Sequence, residues 1–217
     1  MRKTIVDEKQ DSALNVIIVL DHSGSMRDIR RSTISAFNVF LAKQRKEVGA
    51  DTTFFSLYLF ADTVERIRSN IPGNRVPDLS RENYRPDGQT SLLDAIGIAV
   101  RDTERRLQDR LQDDEVLVVC LTDGQENASH IYEFTSVRHL VRQKIEENWE
   151  FLWLGSNDRS RQFAINLGIP EDNIEIFKVN DAGIRESCDK ISQSVSRKKQ
   201  FKDTTGWKDL PPRRNTE

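Results

Sequence analysis

Two stretches of this chain are apolar almost without interruption, and each runs into a carboxylate. The first is Leu14-Asn15-Val16-Ile17-Ile18-Val19-Leu20, followed by Asp21-His22-Ser23-Gly24-Ser25. The second is Glu115-Val116-Leu117-Val118-Val119-Cys120-Leu121, followed by Thr122-Asp123-Gly124-Gln125-Glu126-Asn127. Short apolar runs bounded by polar residues predict strands buried on both faces, as in a parallel sheet. Open α/β sheets place their binding sites beyond the carboxyl ends of such strands, so Asp21 and Asp123 become candidate site residues.

The remaining elements alternate. Residues 1–13 form a polar lead-in. After the Asp21 loop a helix is expected over about Asp28 to Val48, with Thr33, Ala36, Phe37, Phe40, Leu41 and Val48 on one face and Gly49 as its stop. Thr53–Phe60 and Thr63–Arg68 are β-type runs joined only by Ala61-Asp62. That short connection predicts a hairpin and hence one antiparallel edge strand. Asn70 to Gly88 reads as a long loop holding Pro72, Gly73, Pro77, Pro86 and Gly88. It delivers Gly88-Gln89-Thr90-Ser91 to a helix striped by Leu92, Ile96, Ala99, Thr103, Leu107 and Leu111. Past the second apolar strand come a helix over Glu133–Asn148, a strand over Glu150–Leu154, a helix over Ser160–Leu167 closed by Gly168, and a strand over Asn173–Val179. A final helix starts near Asp181, striped by Ile184, Cys188, Ile191 and Val195. The expected architecture is α/β: a doubly wound, mostly parallel sheet with one antiparallel edge strand and helices on both faces, Rossmann-like, over residues 14–200. Residues 201–217 read as an extended tail anchored by Trp207.

At 217 residues the chain suits a single domain with one substantial core. Charged residues are 31% of it, yet the net charge is only −2, which argues against a general polyanion binder. The basic runs Arg197-Lys198-Lys199 and Arg213-Arg214 accordingly read as solvated charge, favourable to a helix end rather than aimed at nucleic acid. Cys120 and Cys188 sit inside apolar patterns and read as buried free thiols. His130 and His139 are nine apart, off any close ligand spacing, and belong on the surface; Trp149 and Trp153 belong in the core. No apolar leader segment and no membrane-length apolar stretch occurs, so a cytoplasmic protein without membrane contact is expected.

In a doubly wound sheet the strand order reverses beside the first strand, and its neighbour there is the strand that resumes afterwards. Asp21 and Asp123 should therefore meet at one crevice, within reach of the loop ending at Thr90. Asp21, Ser23, Ser25, Thr90 and Asp123 are hard oxygen donors, suited to Mg²⁺ or Mn²⁺ rather than zinc. Alone, the Asp21–Ser25 pentapeptide fits a polar turn capping the next helix equally well. The separate Thr90 and Asp123 segments tip the reading toward a metal site.

These three segments, in this order and on these element ends, resemble the metal-ion-dependent adhesion site of the von Willebrand factor A family, over about residues 12 to 198. The run Leu121–Asn127 looks more like small bacterial or phage members than adhesion receptors. The resemblance implies a binding module rather than a catalyst. The two serines and the threonine would ligate directly or through water, the aspartates often through water. An open coordination position would take an Asp or Glu of a partner protein. It also leaves room for a neighbouring ATPase or kinase as partner. His22, Gln89, Glu126, Asn127, Ser156 and Asn157, on carboxyl-end loops, would shape the rim with the 70–88 loop. The alternative is a metal-dependent hydrolase or phosphoryl-transfer enzyme in the same crevice. Against it, no Asp-x-Asp follows the first strand and no phosphate-cradling Gly-rich loop is present.

Overall fold

The computed structural model describes residues 12–47, 49–108 and 114–205, with the side chains of 201–205 excepted. The polar lead-in before residue 12, Val48, Leu111 and Trp207 lie outside the described residues. The strands are β1 (Leu14–Asp21), β2 (Thr53–Phe60), β3 (Val64–Pro72), β4 (Glu115–Leu121), β5 (Glu150–Gly155) and β6 (Ile174–Ile176). They form one sheet in the order β3-β2-β1-β4-β5-β6. All pairings are parallel except β2 with β3, the antiparallel edge. The strand order reverses between β1 and β4, which puts the crevice where the sequence places it.

Alternation along the buried strands sends side chains to two cores. Val16, Ile18 and Leu20 of β1, with Leu117, Val119 and Leu121 of β4, pack under helices α1 (Arg30–Gln44) and α5 (Asp181–Thr205). Ile17 and Val19 of β1, with Val118 and Cys120 of β4, pack under α2 (Leu92–Leu107), α3 (Phe134–Glu146) and α4 (Asp158–Leu167). The expected α5 stripe is in place: Ile184, Cys188, Ile191 and Val195 are buried. Trp149 and Trp153 are buried as well, and Trp153 donates its indole N–H to Ser160 Oγ at 2.9 Å. Both cysteines are buried free thiols, pushed up to about 12 by burial.

Several boundaries differ from expectation for local reasons. The first helix is preceded by a 3-10 turn over Gly24–Arg27 and begins at Arg30; that turn lets Met26 and Ile29 reach the core. Strand β3 continues to Pro72, past a bulge opposite Ser56 whose Oγ accepts the Asn70 N–H, with Asn70 at φ 53°. Strand β6 stops at Ile176, because Phe177 turns inward after donating its N–H to the Gly155 carbonyl and Asn180 then begins α5. Helix α5 runs on through Thr205, beyond the residue at which the tail was expected to begin.

The loop after β3 is packed down rather than splayed. Val76, Leu79 and Tyr84 are buried, and the carbonyls of Val76, Leu79 and Tyr84 accept from Arg45, Asn38 and Arg30. The three basic residues before the tail are also spoken for. Arg197 pairs with Glu150, Lys198 with Glu115 and Glu150, and Lys199 with Glu47. They are ion pairs that tie α5 to the amino end of the sheet, not solvated charge.

Candidate metal centre

The site is built where β1 and β4 end side by side. Register pairs Leu20 with Leu121, so Asp21 and Thr122 emerge as neighbours. The Asp21 carboxylate accepts from Thr122 Oγ1 at 2.6 Å and from the Ser23 N–H at 2.7 Å. Ser23 Oγ lies 3.1 Å from Ser25 Oγ, and Ser25 Oγ donates to Asp123 Oδ1 at 2.6 Å. Asp21, Ser23 and Thr90 are buried, Asp123 is half-buried and Ser25 is exposed, so the cluster grades from floor to mouth.

Thr90 is brought in by backbone lacing between loops. Gly24 N–H donates to the Gly88 carbonyl, Asp87 N–H to the His22 carbonyl, and Ser91 N–H to the Ala61 carbonyl. Gly88 has φ 74° and passes so close to Asp62 that a Cβ there would sit 2.2 Å from its carboxylate; Asp62 in turn accepts the Gln89 N–H. Asn127 clamps Thr90 from the other side, accepting its N–H through Oδ1 at 2.8 Å and donating its own N–H to the Thr90 carbonyl. Gly124 is the contact point of the two walls. A Cβ there would lie 2.8 Å from Thr90 Oγ1 and 3.4 Å from an Asp21 carboxylate oxygen. All five sequence-predicted ligand residues therefore line one crevice.

The six rim positions divide. Gln89 is exposed and His22 half-buried. Ser156 Oγ donates to the Asp123 carbonyl, and Asn157 caps α4 through the Ser160 N–H. Glu126 turns inward: its carboxylate accepts from the N–H groups of Leu93, Ala128 and Ser129 and from Ser129 Oγ. A carboxylate on the free N–H groups of a helix start is favourable, and here it fixes the beginning of α2 two residues from Thr90.

Sequence reasoning passed over three groups. Tyr84 is fully buried and donates its hydroxyl to the Asp21 carbonyl at 2.8 Å, propping the end of β1. Thr122 orients the Asp21 carboxylate. Asp94 is buried on α2 and accepts from the N–H groups of His130, Ile131 and Tyr132, which anchors the loop leaving the site. The one available signal was Tyr84, a lone aromatic residue in a loop of charges and prolines.

Burial pushes Asp21 up to about 6 against hydrogen bonds from Ser23 and Thr122 that pull it down, and burial pushes Asp123 up as well. Neither carboxylate makes an ion pair with a Lys, Arg or His side chain among the described residues. Buried charge is normally paired or bound to metal. Two uncompensated carboxylates ringed by hydroxyls thus fit a hard cation. No group of three or more His, Cys, Asp or Glu side chains gathers among the described residues, so any such ion would lean on hydroxyls. Burial holds the His22 ring below its ordinary value, with Glu65 and Asp62 opposing; its Nδ1 is buried without a partner.

A family model for the von Willebrand factor type A domain matches residues 15–190. The chain belongs to that family. No curated protein matches its sequence. Among solved structures it is similar to the PilB minor pilin from Streptococcus sanguinis, at 16% identity and a TM-score of 0.55, covering 88% of this chain and 63% of that one. It is also similar to the open conformation of the pilus adhesin SpaC from Lactobacillus rhamnosus GG, at 12% identity and a TM-score of 0.62, covering 86% and 30%. A third likeness is to proximal thread matrix protein 1 from the mussel byssus with a zinc-occupied MIDAS motif, at 16% identity and a TM-score of 0.57, covering 85% and 46%. The chain spans less than two thirds of each of these three. No described helix is long and apolar enough to cross a membrane.

Proposed function

We propose that this protein is a metal-dependent protein-binding module. Asp21, Ser23, Ser25, Thr90 and Asp123 hold a divalent cation, and the ion's free coordination position captures an Asp or Glu of a partner protein. The observation that carries the reading is the pair of carboxylates, Asp21 and Asp123, left among the described residues without a cationic side chain amid three hydroxyls. An all-oxygen donor set favours Mg²⁺ or Mn²⁺. A cation held largely by neutral hydroxyls keeps its affinity for an anionic oxygen, so the ion supplies Lewis acidity at the mouth. The protein's own groups do the positioning: Thr122 and Ser23 N–H aim Asp21, Asn127 clamps Thr90, and Ser156 steadies Asp123. A hydrolytic or phosphoryl-transfer reading finds less support. His22, the nearest histidine, has Asp62 and Glu65 as its charged neighbours, and its ring lies 6.4 Å from that of Tyr84. Two buried free thiols suit a reducing cytoplasm, and an ATPase or kinase is a fitting partner class for a module of this kind.

The test is a calorimetric titration of Mg²⁺ and Mn²⁺ into the wild type and Asp123→Ala. Saturable binding to the wild type and none to a folded variant is expected. Equal binding to both would remove Asp123 from the site. A pull-down with and without chelator then reports whether partner capture depends on the ion.

A further inference from the structure

Beside the metal centre lies a second concavity, of about 320 Å³. Its floor is apolar and largely aromatic: Leu92, Leu93, Phe134, Trp153 and Phe163. Phe163 sits between two rings, 5.5 Å from Phe134 in an edge-on arrangement and 5.9 Å from Trp153. The volume is at the small end of ligand pockets, roughly 300–1,000 Å³, which suits one bulky side chain better than a multi-ring cofactor.

The cavity is continuous with the metal centre through two chain segments. Gly124, Gln125 and Glu126 line it, and Gly124 is the residue in contact with both Thr90 and Asp21. Leu92 and Leu93 line it from the first turn of α2, which begins two residues after Thr90, and Glu126 accepts the Leu93 N–H across the gap. One wall therefore serves both sites. At the mouth stands Arg159, exposed and without a carboxylate partner among the described residues. An apolar floor under an unpaired cation complements a segment that is acidic and carries a large apolar residue.

We propose that the cavity receives a bulky apolar side chain, aromatic by preference, from the same partner segment whose carboxylate reaches the metal. The module thereby reads two residues, an Asp or Glu and a Phe-like neighbour, where the metal alone would read any acid. In an extended segment, residues i and i+2 face the same way about 6.6 Å apart, so an acid and an apolar residue in that relation can address two adjoining sites on one wall. The inference rests on the metal-dependent reading above, and its test separates the two.

The probes are four acetylated, amidated peptides: Gly-Asp-Gly-Phe-Gly, Gly-Phe-Gly-Asp-Gly, Gly-Asp-Gly-Ala-Gly and Gly-Asn-Gly-Phe-Gly. Each is titrated into the ¹⁵N-labelled full chain with MgCl₂ or with chelator, and amide and Trp153 indole N–H shifts are followed. The expected result is Mg²⁺-dependent binding of Asp peptides at the Ser23, Thr90 and Asp123 amides. One Asp–Phe order should bind on the order of tenfold tighter than the Ala peptide, the effect of burying one aromatic ring. That peptide alone should move the Trp153 indole, and Arg159→Glu should weaken it severalfold. Mg²⁺-dependent binding with equal Phe and Ala affinities would overturn the two-residue reading and leave the metal reading standing. Shifts at Trp153 that ignore Mg²⁺ and the Asp-to-Asn change would overturn the joint site; the metal reading falls as well only if the Ser23, Thr90 and Asp123 amides do not respond to Mg²⁺. No shift from any peptide would overturn the proposal as well.

Discussion

At the amino end of the sheet, Lys198 reaches Glu115 at 3.3 Å and Glu150 at 3.1 Å, while Arg197 reaches Glu150 and Lys199 reaches Glu47. At the carboxyl end, Asp21 and Asp123 meet, among the described residues, hydroxyls and backbone N–H groups but no cationic side chain. Both ends hold carboxylates at least partly withdrawn from solvent. One end neutralises them with side chains of its own chain; the other leaves the charge to be met from outside. Burial of an uncompensated charge costs stability, and a chain carries that cost where an incoming cation removes it. The contrast sets a structural end, with its charge paired inside the chain, against the end at which we place the metal centre, the functional end of our proposal.

The sharpest way to break the contrast is to delete charge at the functional end. Asp21 has its carboxyl raised from an ordinary 3.8 to about 6, so the folded metal-free protein holds that proton more tightly than the unfolded chain does. Stability from this group is therefore undiminished below the unfolded value and falls as pH rises through the window between them. By pH 7 the loss is about 3 kcal/mol as an upper figure. Asp21→Asn keeps an acceptor for the Ser23 N–H and removes the charge. Urea melts in chelator at pH 4.5 and 7 should show the variant overtaking the wild type as pH rises, while losing the stabilisation that Mg²⁺ confers. A variant less stable than wild type at both pH values would mean that the carboxylate is compensated within the protein. At the structural end the sign reverses. Lys198→Met leaves Glu150 with Arg197 alone and should destabilise by about 1–3 kcal/mol in the same melts, with the Mg²⁺ titration unchanged.

The contrast was only half legible in the sequence. Strands β1 and β4 declare themselves because burial on both faces requires unbroken apolar runs, and Asp21 and Asp123 follow because a carboxylate directly after such a run has to lie at the sheet's end. Thr90 followed from its place at the start of an amphipathic helix. Asp94 and the inward turn of Glu126 were not legible, and Tyr84 showed only as a lone aromatic residue in its loop, with nothing to mark its partner. Each acts on backbone groups of a segment distant in sequence, and no local period marks a side chain whose partner is a carbonyl or N–H from another loop. The Arg197–Lys199 run misled for the same reason: a basic helix end looks alike whether solvated or paired, and only the strand starts at Glu115 and Glu150 decide which.

The smallest effect refines where the functional end stops. Arg27 and Asp87 form an ion pair at 2.8 Å beside the mouth, but both side chains are mostly exposed, at 65% and 85%. Such pairs are worth about 0–1 kcal/mol and are screened by salt. Arg27→Ala should therefore change thermal stability by no more than about 0.5 kcal/mol, and less again in 0.5 M salt. Asp87 still donates its N–H to the His22 carbonyl in that variant, so the lacing that carries Thr90 is untouched. Mg²⁺ affinity should accordingly stay within a factor of about two. A larger gain would place Asp87, freed of its arginine, within the field of the ion, and the uncompensated charge would extend from the crevice floor to the rim; an unchanged affinity confines it to Asp21 and Asp123.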